Sequence, residues 1–217
     1  MITTCIFDFD GTLVNSLEDL ADTTNMLLQQ HGYATHPLEE YKTFVGNGID
    51  MLLQRAFKND DEEFIKNIRI EFDSLYQIYS LRKTKPYAGI IELVTTLQQK
   101  GLKLAVVTNK AHGIANTMVE TIFPDTFLYT YGGSMDYPHK PNPAIVYRVI
   151  DQMNSKPEEC VFIGDSDVDI VTGKNANIKT IGVTWGFRKR EELEKHGADA
   201  IVNTPKEIGS IIDDWRK

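Results

Sequence analysis

The chain has 217 residues, 41% of them hydrophobic and 25% charged, with a formal net charge of −8. That composition supplies a real core for one large domain, or one and a half, and excludes general disorder. The acidic balance excludes broad, sequence-independent nucleic-acid binding, which needs a basic face, but a metal ion and one lysine would still let the protein receive a small anion.

Residues 3–7 are a short apolar run that ends at Asp8. Apolar runs without alternation suit strands buried on both faces. From residue 15 to residue 82 the pattern turns helical. Ser16 and Asp19 resemble a capping box opening a helix over 17–30, with Gly32 as its stop. Residues 38–44 and 49–57 read as helices split by Gly46-Asn47-Gly48. Residues 62–82 read as a long amphipathic helix with Phe64, Ile68, Phe72, Leu75 and Tyr79 on one side. Lys85-Pro86-Tyr87-Ala88-Gly89 breaks that pattern.

A helix over 90–100 follows, stopped by Gly101, and then a strand over 102–107 that ends in Thr108 and Asn109. Residues 129–133 are a weaker strand candidate, and 143–153 form a helix with Pro143 in its first turn. Strands are predicted over 160–163, ending in Gly164 and Asp165, over 180–183, and over 200–202. Strands alternating with helices imply an α/β fold, a doubly wound parallel sheet with right-handed crossovers. Residues 1–14 and 83–217 would form this core, and 15–82 an inserted helical module.

In open parallel sheets, ligands bind beyond the carboxyl ends of the strands. Asp8, Asp10, Thr108, Asn109, Asp165 and Asp169 should therefore meet in one crevice, with Lys140 just ahead of a helix start. Three carboxylates gathered there repel one another unless a cation neutralises them. An all-oxygen, highly charged donor set favours a hard ion, and Mg2+ is the usual choice where phosphate oxygens complete the shell. In Asp8-Phe9-Asp10-Gly11-Thr12 the spacing of two points both carboxylates the same way along an extended segment, and Gly11 permits the turn. Asp8 can attack phosphorus as a nucleophile, and Asp10 can protonate the leaving oxygen and later deprotonate water. Thr108 offers a hydroxyl and an N–H, and Lys140 a point charge, to phosphate oxygens. Thr108 and Asn109 can also cap the following helix, which would place phosphate at a helix N-terminus.

Four segments carry a resemblance. Asp8-Phe9-Asp10-Gly11-Thr12-Leu13-Val14, Val107-Thr108-Asn109-Lys110, Lys140-Pro141-Asn142-Pro143 and Gly164-Asp165-Ser166-Asp167-Val168-Asp169 resemble the four motifs of the haloacid dehalogenase (HAD) superfamily, in that order. The resemblance implies a Rossmann-like core with an α-helical cap inserted after the first motif. It implies Mg2+ held by the Asp8 carboxylate, the Asp10 backbone carbonyl and Asp165, with Asp169 orienting ligands or water from behind. It places substrate or phosphate contacts at Asp8, Gly11, Thr12, Thr108, Asn109 and Lys140, and at Gly46, Asn47 and Gly48 in the cap. Within the superfamily the chain is most similar to phosphoglycolate phosphatases, on Val45-Gly46-Asn47-Gly48, Tyr87-Ala88-Gly89 and Gly182-Val183-Thr184-Trp185-Gly186. Asp10 argues against dehalogenases and phosphonate hydrolases, which lack a second aspartate there. Asn15 stands where many relatives carry Asp, as in the family's pyrophosphatases, which keeps a diphosphate substrate open.

The expected activity is hydrolysis of a small phosphate monoester, 2-phosphoglycolate first, through an aspartyl-phosphate. A pyrophosphatase or nucleotidase, or a phosphomutase of the β-phosphoglucomutase type, would use the same core; a phospho-aspartate signalling module would order its motifs differently and lack the cap. Arg55, Lys110 and Arg188 are charges whose roles the sequence leaves open, with a solvated helix face the plain reading of Arg55. Asp167 reads as exposed. The five histidines lack metal-ligand spacing, and Cys5 and Cys160 read as buried thiols. No apolar run approaches the ~20 residues that span a bilayer, and no signal-peptide pattern opens the sequence, so the expectation is a cytoplasmic monomer or homodimer acting on a phosphorylated metabolite, with no nucleic acid or membrane partner.

Overall fold

The computed structural model describes residues 1–133 and 137–217. In chain order the elements are β1 (Thr4–Phe7), β2 (Val14–Asn15), α1 (Leu17–Gln30), α2 (Leu38–Phe44), α3 (Ile49–Phe57) and α4 (Glu62–Tyr79). There follow β3 (Lys85–Pro86), α5 (Ile90–Gln99), β4 (Lys103–Ala111), α6 (His112–Ile122), β5 (Tyr129–Gly133) and α7 (Ala144–Gln152). The chain closes with β6 (Cys160–Gly164), α8 (Asp167–Asn175), β7 (Lys179–Val183), α9 (Arg190–Lys195), β8 (Ala200–Val202) and α10 (Pro205–Trp215).

The main sheet runs β5-β4-β1-β6-β7-β8, and each pairing is parallel. This is a Rossmann-like α/β core. The fully buried β1 and β6 explain why their sequences lack alternation: both faces are covered. Side chains still divide by the strand's period of two. Cys5 and Phe7 join a cluster with α5, α6 and α10, while Ile6 joins one with α7 on the other face. The order of strands reverses between β1 and β6, and the crevice of such a sheet opens there. Asp8 follows β1 and Asp165 follows β6, so both stand at that point.

Helices α1 to α4 pack round a separate cluster that includes Leu27, Tyr41, Leu53, Ile68 and Phe72. The chain enters and leaves this group through β2 and β3, which pair antiparallel.

Several expectations need correction. Ser16 makes no side-chain cap on α1; its hydroxyl donates to Asp10 instead, at 2.5 Å. Asp19 accepts from Lys83 N, Thr84 N and Thr84 Oγ1, so long-range partners outcompete the local box. The long helix ends at Tyr79, short of residue 82, and Pro143 caps α7 from outside its first turn. Strand β4 runs on to Ala111, so Thr108 and Asn109 lie within it and do not cap α6. Asp167 is half-buried, beside Arg188. Both cysteines are free and buried, as expected.

Candidate active site

The site is assembled where β1, β4 and β6 end. Asp8, Asp165 and Asp169 bring carboxylate oxygens within 4.8 Å of one another, and all three side chains are buried. Asp169 opens α8 and is fixed by Ser166, whose N–H and hydroxyl both donate to its Oδ2, at 3.0 and 2.7 Å. Its other oxygen receives Lys140 Nζ at 2.7 Å. Lys140 in turn has its amide donating to Asn109 Oδ1 at 2.8 Å, and Asn109 Nδ2 donates back to the Lys140 carbonyl at 3.1 Å. The register between β4 and β5 shifts between Val107 and Ala111, and such irregularities re-aim side chains at the rim of a sheet.

Lys140 Nζ also stands 2.8 Å from Asp8 Oδ1. Asp8 Oδ1 is buried, and this ion pair is its one polar contact among the described residues. Burial pushes the Asp8 carboxyl up to about 7, with Asp169 and Asp10 adding to the rise and Lys140 opposing it. Burial, then Asp169 and Asp8, push Asp165 up to about 8 against the Phe187 N–H and Arg188. Carboxyls so raised and so close together are what a hard cation would relieve. The residues present fit a metal ion at this triad.

Gly11 and Gly186 wall in Asp165. A Cβ on Gly11 would lie 2.5 Å from its carboxylate, and one on Gly186 would overlap its Cβ. Thr12 Oγ1 donates to Asp165 Oδ1 at 3.2 Å and Phe187 N to Oδ2 at 2.8 Å. Gly11 and Thr12 therefore serve Asp165 and do not line the cavity that opens beside Asp8.

That cavity, of about 70 Å3, is lined by Asp8, Asp10, Thr108, Asn109, Lys110 and Lys140 on the core side. Gly46 and Gly48 line it from the helical side. Asn47 does not; its Oδ1 accepts from Arg55 at 3.0 Å. Arg55 also donates to the carbonyls of Thr43 and Phe44. Arg188 donates to those of Lys42 and Val45. Both arginines are thus committed to the C-terminal end of α2. Residues that sequence reasoning missed include Ser16 and Ser166, which fix carboxylates, and Tyr76 and Gly186. Ser166 was findable as the Ser of a Ser-x-x-Asp box; Tyr76 looked like any other apolar position of its helix.

A buried carboxylate triad with a lysine thus stands at the carboxyl edge of a doubly wound sheet, the place where such folds bind ligands. Residues 5–183 match the haloacid dehalogenase-like hydrolase family, and the chain belongs to it. It is 34% identical to a phosphoglycolate phosphatase of Psychrobacter arcticus over 88% of this chain and 86% of that one. With one from Colwellia psychrerythraea the identity is 32%, over 94% and 93%. The crystal structure of a predicted phosphoglycolate phosphatase from Haemophilus somnus superposes with a TM-score of 0.90 at 29% identity, covering 97% of each chain. The protein is a phosphoric monoester hydrolase of the phosphoglycolate phosphatase-like kind. Among the described residues no helix is long and apolar enough to cross a membrane.

Proposed function

We propose that the protein is a Mg2+-dependent phosphatase that hydrolyses a small phosphate monoester of the 2-phosphoglycolate type through a phosphorylated Asp8. The observation that carries this reading is the buried Asp8 carboxylate, paired with Lys140 at 2.8 Å and grouped with Asp165 and Asp169 at the edge of the cavity. The Asp8 carboxylate, the Asp10 carbonyl and Asp165 would hold Mg2+, and Asp169 would steady the arrangement through Lys140 and Ser166. When bound, the ion supplies the positive charge that lets these carboxylates and a phosphoryl group share one site.

Lys140 and Thr108 hold the phosphoryl oxygens. Asp8 attacks phosphorus in line, the P–O bond to the alcohol breaks, and Asp10 gives its proton to the leaving oxygen. Asp10 then takes a proton from a water that attacks the same phosphorus, the P–O bond to Asp8 breaks, and inorganic phosphate leaves. Residues 15–82 would act as a cap over the cavity, excluding bulk water during both steps. The 2-phosphoglycolate preference is supported by the names of the relatives above.

The test is phosphate release from a panel of phosphorylated metabolites with Mg2+, run with Asp8→Asn alongside. Asp8→Asn should lose turnover while remaining folded, with a cooperative thermal unfolding transition. Chelation should stop the wild type, and Ca2+ should not restore it, because its looser shell misplaces the nucleophile. Near-normal turnover by Asp8→Asn would falsify covalent catalysis at this residue.

A further inference from the structure

The side chains on the leaving-group side of the cavity are mostly apolar. Leu20, Val45, Ile49, Leu52 and Phe72 wall it from the helical side. Asp73 reaches the wall too, but both of its oxygens are engaged by Arg69 Nε, at 2.9 and 2.8 Å. Arg55 and Arg188 are spent on backbone carbonyls, and Lys140 stands on the phosphoryl side, beside Asp8 and Asp169. Among the described residues lining the cavity, this leaves Lys110 as the one cation on the leaving-group side.

Lys110 Nζ sits 3.1 and 3.2 Å from the two oxygens of Asp10 and 2.9 Å from Tyr76 Oη. The near-equal distances to the two Asp10 oxygens are those of one forked N–H; Tyr76 takes a second, and an ammonium has three. Tyr76 accepts from Lys110, and its own O–H has no acceptor among the described residues. Its side chain is among the largest fully buried ones. Two donors, one cationic and one neutral, thus converge at the cavity floor beside Asp10, each with capacity for an acceptor that the protein does not supply. An anion set against Leu20, Leu52 and Phe72 would meet hydrocarbon and stay uncompensated.

We infer that Lys110 and Tyr76 are specificity-determining residues that receive a second anionic group on the substrate, carried within two or three bonds of the ester oxygen. The inference rests on the phosphatase reading and adds to it a restriction on the alcohol: short, and bearing its own negative charge. A carboxylate, as on 2-phosphoglycolate, and the second phosphate of inorganic diphosphate share that chemistry. Lys110 belongs to the core and Tyr76 to α4, so the receiver exists only when the two parts of the protein meet.

The test compares kcat/KM for 2-phosphoglycolate, inorganic diphosphate and uncharged-tail ethyl phosphate, at saturating Mg2+, in wild type, Lys110→Met and Tyr76→Phe. Changes to the shared chemistry at Asp10 cancel in the ratio between substrates. Wild type should favour an anionic substrate over ethyl phosphate by roughly tenfold or more, the worth of a hydrogen bond to a charged group. Lys110→Met should shrink that ratio by a similar factor, mainly through KM, and Tyr76→Phe by less. The better of the two anionic substrates tells carboxylate from phosphate. A wild type that turns over ethyl phosphate as well as either anion overturns the inference, and needs no variant to fold. So does a preference that survives in both variants. Hydrolysis of ethyl phosphate with no anionic preference spares the phosphatase reading; hydrolysis of none of the three overturns both.

Discussion

Asp165 owes its position to atoms that are absent. Gly11 and Gly186 let backbone press against its carboxylate, Gly11 at a φ of +88° that side-chain-bearing residues rarely adopt. Gly186→Ala should push Asp165 out of place and lower Mg2+ affinity by about ten- to a hundredfold, the usual cost of disturbing a ligand's support. The Mg2+ dependence of turnover measures this, and an unchanged dependence would show that the loop yields instead. The same carboxylates set a pH dependence. In the metal-free protein Asp8 and Asp165 are raised above their unfolded values, to about 7 and about 8. The folded state then binds more protons than the unfolded one, so this pair costs stability increasingly as pH rises from about 4 through about 8. Mg2+ binds the ionised form and should raise Tm more at pH 8.5 than at pH 5.5. Equal increments in Tm at the two pH values, in scans with and without chelator, would contradict this account.

The elements show why some of the fold was legible and some not. Helices α1, α2 and α3 fall within the residues expected from apolar periodicity and glycine stops, because those signals are local. The strands at β1, β6 and β7 were legible for the same reason: buried on both faces, they read as unbroken apolar runs. Asp19 and Ser16 misled, since their partners lie outside their own helix turn. The extension of β4 through Thr108-Asn109-Lys110 was hidden because polar residues there answer to the site and not to the core. Asp19 carries a consequence of its own. It is 2% exposed and satisfies two backbone N–H groups and one hydroxyl where the chain returns from α4 to β3. Asp19→Ala would strand those donors, at about 1–3 kcal/mol for each one left unpaired. Denaturant unfolding should show a loss of at least about 2 kcal/mol, and limited proteolysis should find the new cleavage near residues 80–84. A variant as stable as wild type would mean that water replaces the carboxylate.

At the scale of the whole molecule, the chemistry depends on how the helices α1–α4 sit on the sheet. The four sequence motifs located the core half of the site: Asp8 and Asp165 follow β1 and β6, Thr108 and Asn109 lie late in β4, and Lys140 precedes α7. They could not locate the other half: Leu20, Ile49, Leu52 and Phe72 wall a cavity, and periodicity cannot distinguish a cavity wall from a packed core. Around the cavity several contacts join the halves. Asn109 Nδ2 donates to Gly46 O at 3.2 Å, Lys110 Nζ to Tyr76 Oη at 2.9 Å, and Arg188 to the carbonyls of Lys42 and Val45. The last of these sets a cation against the C-terminal carbonyls of a helix, where the helix dipole favours it. Arg55 serves neighbouring carbonyls from within the helical part, so removing Arg188 should leave α2 intact and weaken only its attachment to the core. If the helical part closes over the cavity as proposed, Arg188→Ala should raise KM several-fold while changing kcat less, because apparent affinity falls with the closed fraction. Amide exchange over residues 42–48 should quicken in the same variant, with exchange in β1 and β6 unaltered. If KM and those amides both match wild type, Arg188 does not hold the helical part to the core.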